Sequence, residues 1–517
     1  MQVNADQGQV PFLLKRSTLL FLAVFLYSCL CFFGHFSRGI HAFSMVDDDC
    51  YYYMKIASNI VAGHGSTFDG ETLTNGYHPL WMGVITLISA FTSRIENIIA
   101  AIYAIAIAST LATFFLARLL LLRFVSHLAV ADISAALVTI FASDLFRSGM
   151  EIILALPLAL GLMEFALRSR IPRSPLRTFF FGLLSAVMIL SRIDSIILAG
   201  LLTLLLLLES DLRRTVTARH VLTYVLGISP VLLYLASNVL WFGTLLPISG
   251  EAKQLRTTYT PSLRGIETLT QICPLHGFSF FVAMLGFLWL PFAWKRLDTM
   301  ARTVLGAALL FPVAQILLLA FLSDWIMFPW YFYSSGIAIC ASLSVWFGDK
   351  TSPAWPLLRS PLLRVGAMAL LSFACAAGIV RNTWHRPPSQ RVMHALFIEN
   401  FSTTHPGRYA MGDRAGFTSV AMPYPIVQTE GLVMDRRFLE HIRHQDDLLA
   451  VLREHRVRYY VATEMFTKEP AGCFPAKEPR AAGDTAPHMQ ASLCMQPVAT
   501  YEAPAGIKTL IFDLGAE

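Results

Sequence analysis

Apolar runs long enough to cross a membrane recur through the first 380 residues, with short basic clusters between them. A helix needs about 20 apolar residues to span the hydrocarbon core of a bilayer. The chain is 55% hydrophobic and 14% charged, whereas soluble domains carry about 25% charged residues. A water-soluble fold would have to expose this apolar surface, which lipid accepts. We therefore predict an α-helical polytopic membrane protein with about eleven transmembrane helices. The predicted spans are residues 13–36, 98–122, 128–146, 151–167, 179–191, 193–208, 221–241, 278–294, 303–322, 331–347 and 362–380.

Basic residues distinguish the two sides of this predicted bundle. Lys15 and Arg16 precede the first run, which lacks a signal-peptidase cleavage site, so we expect it to remain as a span. Because basic loops stay in the cytoplasm, the N-terminus is predicted inside and the region after residue 381 outside. The formal charge of +6 consists of such anchors and indicates no nucleic-acid partner. The clusters occupy every second loop, at Arg118 with Arg123, 168–177, 213–219, Lys295 with Arg296, and 350–364.

Three apolar segments are short for a full crossing. Counting 79–92 as a span would move every later basic loop to the wrong side. We therefore predict a juxtamembrane or re-entrant helix on the outer face. Segments 179–191 and 193–208 are expected to meet at a turn around Arg192 that dips into the membrane.

The predicted domains are a transmembrane catalytic domain, 1–380, and a C-terminal extracytoplasmic α/β domain, 381–517. The first has two long outer loops, 37–97 and 242–277. In the second, Cys473 and Cys494 are the only cysteines, and a disulfide would place their Cα atoms within about 7 Å. We predict strands at 409–411, 426–428, 459–462 and 509–512, helices at 437–442 and 446–454, and a loop at 470–487.

Three adjacent carboxylates, Asp47, Asp48 and Asp49, follow the first span, and three tyrosines come directly after them. Adjacent carboxylates repel one another, so the cluster predicts a bound cation or a proton that one carboxylate removes from a substrate. The structural alternative is a solvated acidic loop. Ile56 and Ile60 then share one face of a predicted helix that would lie in the membrane interface.

The sequence 48–53, DDCYYY, together with 74–81, TNGYHPLW, resembles the first outer loop of the GT-C superfamily of glycosyltransferases. The resemblance is to bacterial members related to arabinofuranosyl- and mannosyltransferases. It implies a polyprenyl-phosphate sugar donor and an essential aspartate in this loop. Segments 147–151, 192–194, 242–253, 412–416 and 430–433 also resemble these relatives. The extra acid, Asp47, leaves open which two aspartates correspond to the family pair.

The resemblance assigns a role to each candidate. Asp48 is the favoured catalytic base, with Asp49 as its neighbour, and Arg192, Lys253 and Arg147 would bind the donor phosphate. Glu151, Asp194 and His78 are candidates for substrate or metal contacts, with Mg or Mn as the possible cation. Glu151 could instead orient a basic partner. Each has a structural alternative: Arg192 and Asp194 as an interfacial ion pair, Lys253 as a snorkelling side chain, and His78 as a helix-entry residue. Trp330 and Tyr331 fit an aromatic belt or a stacked sugar.

The predicted function is an inverting hexosyl- or pentosyltransferase in the bacterial cytoplasmic (inner) membrane. It would move a sugar to a glycan, lipid or protein acceptor on the outer face. The alternatives are a transporter or flippase for a lipid-linked sugar, and a non-catalytic envelope assembly protein. A transporter would carry charges near the middle of its spans, whereas here they lie at the predicted outer ends. A nucleotide-sugar enzyme using Asp47 and Asp49 conflicts with the outer location.

Overall fold

The computed structural model describes residues 9–34, 36, 44–172, 174–209, 213–258, 260–262, 264, 274–348, 360, parts of 362–377, 390–464, 472–502 and 508–515. The predicted span 362–380 lies largely outside these residues, and so does the predicted domain boundary. Each of the other predicted spans coincides with a helix.

The first part of the chain is helical, because its long apolar runs contain few residues that break helices. Among the described residues, six helices are long and apolar enough to cross a membrane, and shorter apolar helices pack among them. This is a multi-pass membrane protein with the predicted α-helical architecture. The helices are α1 Gln9–Phe33, α2 Asp48–Val61, α3 Pro79–Phe91, α4 Ile95–Leu122, α5 Leu128–Phe146, α6 Ile152–Ser169, α7 Pro175–Ser191, α8 Ile196–Leu208, α9 Ala218–Phe242, α10 Ile248–Gln254, α11 Pro274–Ala293, α12 Thr299–Leu322 and α13 Tyr333–Gly348.

The three short segments form helices of limited length. The helix α3 has 13 residues, which span about 20 Å at 1.5 Å per residue, less than a bilayer core. Pro79 begins it, as expected of proline in a first turn. The helices α7 and α8 meet at Arg192 and the single 3₁₀ turn Ile193–Ser195. The predicted turn therefore exists, and it positions Arg192.

The C-terminal region is a small α/β unit. Its helices are α14 Gln390–Thr404, α15 Ala415–Ala421, α16 Arg436–His444 and α17 Leu448–Glu454. Its strands are β1 Tyr409–Met411, β2 Ile426–Gln428, β3 Tyr459–Glu464, β4 Phe474–Glu478, β5 Met489–Leu493, β6 Ala499–Glu502 and β7 Lys508–Asp513. Five form one sheet in the order β2-β1-β3-β7-β6. The strands β2, β1 and β3 are parallel, and β7 runs antiparallel to β3 and β6.

The predicted loop 470–487 needs correction, because β4 lies within it and pairs with β5 as an antiparallel hairpin. The stretch is rich in Pro, Gly and Ala, so its sequence did not predict the short strand β4, in which buried and exposed residues alternate. The disulfide Cys473–Cys494 flanks this hairpin with a Cα–Cα distance of 4.1 Å, which confirms the predicted pairing. The bonded cysteines stand beside Phe474 and Leu493, which are themselves register partners.

The C-terminal region is docked on the end of the helical bundle that carries α2 and α3. Arg408 pairs with Glu71 at 2.6 Å and also with Asp69. Asp324, at the end of α12, accepts hydrogen bonds of 3.0 and 2.7 Å from the backbone N–H and the hydroxyl of Thr485. These contacts hold the region over the short helices, so that both contribute to one cavity.

Candidate active site

The helix α2 positions the first wall of this cavity. Asp49, Tyr52 and Tyr53 lie at positions i, i+3 and i+4 and therefore share one helix face. Asp47 is the N-cap residue, and Asp48 and Asp49 lie in the first turn, where negative charge stabilises the helix dipole. The lining residues are Asp49, Tyr52, Tyr53, Gly76, Tyr77, His78, Met150, Glu151, Arg192, Ser249, Lys253, Trp330, Tyr331, Leu432 and Val433.

A buried ion-pair group forms the floor. The Arg192 guanidinium, 3% exposed, pairs with Glu151 and donates from Nε to Asp194 at 2.9 Å. Glu151 is 1% exposed. Asp194 also accepts hydrogen bonds from Tyr333 at 2.9 Å and Gln315 at 2.8 Å. Two carboxylates thus neutralise one guanidinium, as a buried charge requires, and the group is rigid because its hydrogen bonds come from several helices.

His78 and Tyr53 connect this group to the first loop. The Tyr53 hydroxyl donates to Glu151 at 3.2 Å and accepts the backbone N–H of His78 at 3.1 Å. The His78 ring accepts the backbone N–H of Ile193 at Nδ1, so Nε2 carries the proton and faces Glu151 at 3.5 Å. Burial lowers the pKa of His78, and the positive charges of Arg192 and Lys253 lower it further. The carboxylates of Glu151 and Asp194 act in the opposite direction but do not outweigh these effects. The ring is therefore neutral near pH 7.

Lys253 on α10 supplies positive charge of a different kind. Its ammonium donates to the Tyr331 hydroxyl at 3.0 Å and lies 5.8 Å from the centroid of the Trp325 ring. Within the part of the chain that the structure describes, Lys253 forms no ion pair. Burial disfavours the ammonium, but the Tyr331 phenol and the Asp49 charge outweigh burial and raise the pKa of Lys253. Lys253 is thus a charged donor inside the cavity, and none of the described carboxylates lies at contact distance from it.

Asp48 occupies a different environment from Asp49. Its carboxylate accepts hydrogen bonds from the backbone N–H groups of Gly416 at 3.2 Å and Phe417 at 2.8 Å, in the first turn of α15. It does not line the cavity. The Asp48 oxygens are therefore engaged by the N-terminus of α15, whereas Asp49 lines the cavity.

Two other predicted site residues also lie away from the cavity lining. Arg147 is the C-cap residue of α5 and is not among the lining residues. Asp194 is not among the lining residues either, and its carboxylate accepts hydrogen bonds from Arg192, Tyr333 and Gln315. Of the eight predicted site residues, the cavity brings together five: Asp49, His78, Glu151, Arg192 and Lys253.

The predicted metal role of Glu151 does not fit its surroundings. One oxygen is paired with Arg192 and the other accepts the Tyr53 hydroxyl. Among the described residues, no group of three or more His, Cys, Asp or Glu side chains is arranged to hold a metal ion. The donor set around Glu151 suits an arginine and leaves no oxygen pair for a divalent cation.

Sequence reasoning missed the contribution of the C-terminal region. Leu432 and Val433 close the cavity, and Gly76 permits this approach. A Cβ at Gly76 would lie 2.0 Å from the Leu432 carbonyl oxygen, so no other residue fits there without movement. The glycine in the 74–81 motif was visible in the sequence, but its partner 356 positions later was not.

Comparisons with known proteins agree with this architecture. No family model matches the chain, and no curated protein sequence matches it. Among solved structures, it is similar to ArnT from Cupriavidus metallidurans bound to undecaprenyl phosphate, with a TM-score of 0.53 and 16% identity over 87% of this chain and 93% of that chain. It is also similar to the archaeal oligosaccharyltransferase AglB from Archaeoglobus fulgidus in complex with an inhibitory peptide and a dolichol-phosphate. That match has a TM-score of 0.53 and 11% identity over 88% of this chain and 73% of that chain. The chain therefore shares the fold of these two solved structures.

Proposed function

We propose that this protein is an inverting glycosyltransferase that moves a sugar from a polyprenyl-phosphate donor to an acceptor hydroxyl, on the extracytoplasmic face of the membrane. The observation that carries the proposal is that Asp49 and Lys253 line the same cavity. A carboxylate and an ammonium in one cavity are the two charges that such a transfer needs. Both solved structures in the comparison contain a polyprenyl or dolichol phosphate, which supports the class of donor.

In the proposed step, Asp49 accepts the proton of the acceptor hydroxyl as its oxygen attacks the anomeric carbon. The new glycosidic bond forms as the bond from that carbon to the phosphate oxygen breaks, so the configuration inverts. The phosphate leaves with the bonding electron pair. Asp49 suits this role because it is only partly buried and lies in the first turn of α2, where its anionic form is stabilised.

Lys253 would stabilise the departing phosphate. An ammonium without a carboxylate partner at contact distance loses no ion pair when a phosphate arrives, and it gains a charge-assisted hydrogen bond. Tyr331 and Trp325 hold it in place before binding, so less conformational entropy is lost. Arg192 is the weaker phosphate candidate, because Glu151 and Asp194 already neutralise it.

Aromatic side chains give the cavity the character of a sugar site. Tyr52, Tyr77, Trp330 and Tyr331 line it, and their flat apolar faces and polar edges suit a ring that carries both C–H and O–H groups. Trp330 is itself fixed by stacking on Phe328, with ring centroids 4.7 Å apart. We therefore keep Trp330 and Tyr331 as sugar-stacking candidates.

The extracytoplasmic location of the site is part of the proposal. A disulfide such as Cys473–Cys494 persists in oxidising compartments, and the C-terminal region that contains it is docked against the cavity. The basic loops on the opposite side predict the same orientation. Together they support an acceptor that is a glycan, lipid or protein outside the cytoplasm of a bacterium.

The experiment compares the cell envelope of a deletion strain complemented with the wild-type gene or with Asp49→Asn. We expect the deletion and Asp49→Asn to lack one glycan modification and to accumulate a polyprenyl-phosphate sugar in the membrane. Mass spectrometry of both fractions would also identify the sugar. An unchanged glycan profile with Asp49→Asn would refute the proposed base. A glycan defect without donor accumulation on the outer leaflet would favour the flippase alternative.

A further inference from the structure

A second groove lies on the opposite face of α2 from the cavity. It is lined by Met54, Lys55, Ser58, Val61, Ala62, Ser89, Thr92, Ser93, Ile95, Ile98, Ser419 and Val420. At 100° per residue, Lys55 and Ser58 point away from Asp49 and Tyr53. The groove is therefore bounded by α2, the end of α3, the start of α4 and α15, and we call it the Lys55 groove.

One cation and several hydroxyl groups converge in the Lys55 groove. Lys55 is partly buried, and among the described residues it forms no ion pair. Ser89 is 8% exposed, and its buried hydroxyl has no hydrogen-bond partner in the described part of the chain. Burial also lowers the pKa of Lys55. The charged ammonium is therefore disfavoured in the groove, and a bound anion would offset this effect. A buried, unsatisfied hydroxyl and an ammonium without an ion pair among the described residues line the same groove, which indicates a missing ligand.

The margin of the groove is apolar and exposed. Val61, a lining residue, is 47% exposed, and Phe91, which directly precedes the lining residue Thr92, is 85% exposed. The 28-residue membrane span α4 begins at Ile95, another lining residue. An anion free in water would gain nothing from this margin. A lipid would place acyl chains against it and its head group in the groove.

We propose that the Lys55 groove binds the phosphate head group of an anionic membrane lipid, with Lys55 as the charged ligand and the Ser89 hydroxyl as a hydrogen-bond donor. This site is separate from the proposed transfer site, because α2 stands between them. Since Asp49 lies on one face of α2 and Lys55 on the other, lipid in the groove would hold the helix that carries the proposed base.

The test uses the full-length protein in nanodiscs of phosphatidylcholine mixed with phosphatidylglycerol. Native mass spectrometry then counts the phosphatidylglycerol molecules that remain bound after release. Lys55→Gln should retain one fewer molecule than the wild type, with about tenfold weaker retention at that site, because a hydrogen bond to a charged group is lost. Ser89→Ala should give a smaller loss at the same site.

Two matched variants serve as controls. Lys508→Gln removes the same charge from a lysine that pairs with Glu502 at 3.1 Å in the distant sheet, and it should retain lipid like the wild type. Asp49→Asn should do so too, so that failure of the transfer proposal leaves this one intact. Equal retention in Lys55→Gln and the wild type would overturn the proposal, and so would equal losses in Lys55→Gln and Lys508→Gln. Stabilisation by inorganic phosphate that depends on Lys55, without retained phosphatidylglycerol, would overturn the lipid assignment.

Discussion

The carboxylate of Asp48 accepts a 2.8 Å hydrogen bond from the backbone N–H of Phe417, which lies 369 residues later in the chain. Gly416 donates to the same carboxylate at 3.2 Å. Asp48 thus acts as an N-cap for α15, although it belongs to another part of the chain. Asp48 and Asp49 are neighbours in one helical turn, but Asp48 helps to dock the C-terminal region and Asp49 is the candidate catalytic residue.

Asp48→Ala should weaken the docking of the C-terminal region. Loss of a side chain that caps two backbone N–H groups costs about 1–2 kcal/mol. Chemical denaturation of the purified protein should show this loss, and limited proteolysis should cut α15 faster. Asp48→Asn retains an oxygen acceptor and should lose less. If Asp48→Ala resisted denaturation and proteolysis as well as the wild type does, the hydrogen bonds to Gly416 and Phe417 would contribute nothing to docking.

Removing one member of the buried ion-pair group should destabilise the bundle strongly. Arg192→Met leaves the buried Glu151 and the partly buried Asp194 without their cation, at a cost of about 3–5 kcal/mol. The matched control is Arg123→Met, which breaks the more exposed pair with Glu164 and should cost about 1 kcal/mol or less. Thermal unfolding in detergent measures both. Equal effects of the two changes would contradict the structural role that we assign to Arg192.

The stability of the C-terminal region should fall as the pH rises through neutrality. Glu430 is 4% exposed. Burial, followed by the nearby charges of Glu478 and Asp413, raises its pKa from 4.5 to about 8. The folded state therefore holds a proton that the unfolded state releases above pH 4.5, so stability declines between about pH 4.5 and 8 and then levels. Glu430→Gln resembles the protonated form and should flatten this decline in unfolding temperature. An unchanged pH profile would exclude Glu430 as the titrating group.

The disulfide should stabilise the β4–β5 hairpin. Its cysteines are 21 positions apart. Closing a loop of that size lowers the entropy of the unfolded chain, which stabilises the folded state by about 3 kcal/mol. Replacing Cys473 and Cys494 together with serine should lower the unfolding temperature, and a reductant should lower it equally in the wild type but not further in the variant. A reductant effect that persists in the double variant would point to another cause.

Sequence patterns predicted the helices well because membrane spans obey a local rule. A run such as α4 is apolar throughout, and the lipid environment leaves helix formation as the way to satisfy its backbone. The strands β1 and β2 were also recognisable as short apolar segments. The strand β4 was not, because a proline, Pro475, and a buried charged residue, Glu478, leave it without an alternation of apolar and polar residue types, and it lies in a Pro-rich stretch.

The site was predictable in its residue types but only partly in its geometry. Asp49, Lys253 and Glu151 carry chemistry that a sequence motif reveals. The choice between Asp48 and Asp49 depends on Phe417, a contact that no local pattern encodes. The burial of Arg192 between two carboxylates likewise depends on how α6, α7 and α12 pack.

Asp49→Asn tests the central claim most directly, because it keeps the shape of the side chain and removes the base. The measurement is the initial rate of sugar transfer by the purified variant, using as donor the polyprenyl-phosphate sugar that accumulates in the deletion strain, beside the binding of polyprenyl phosphate. We predict that transfer falls by about 10² or more while binding of polyprenyl phosphate is retained, and that Lys253→Gln instead weakens this binding. Asp48→Asn should transfer at a rate near that of the wild type. Undiminished transfer by Asp49→Asn, or a loss in Asp48→Asn alone, would contradict the assignment of Asp49 as the base.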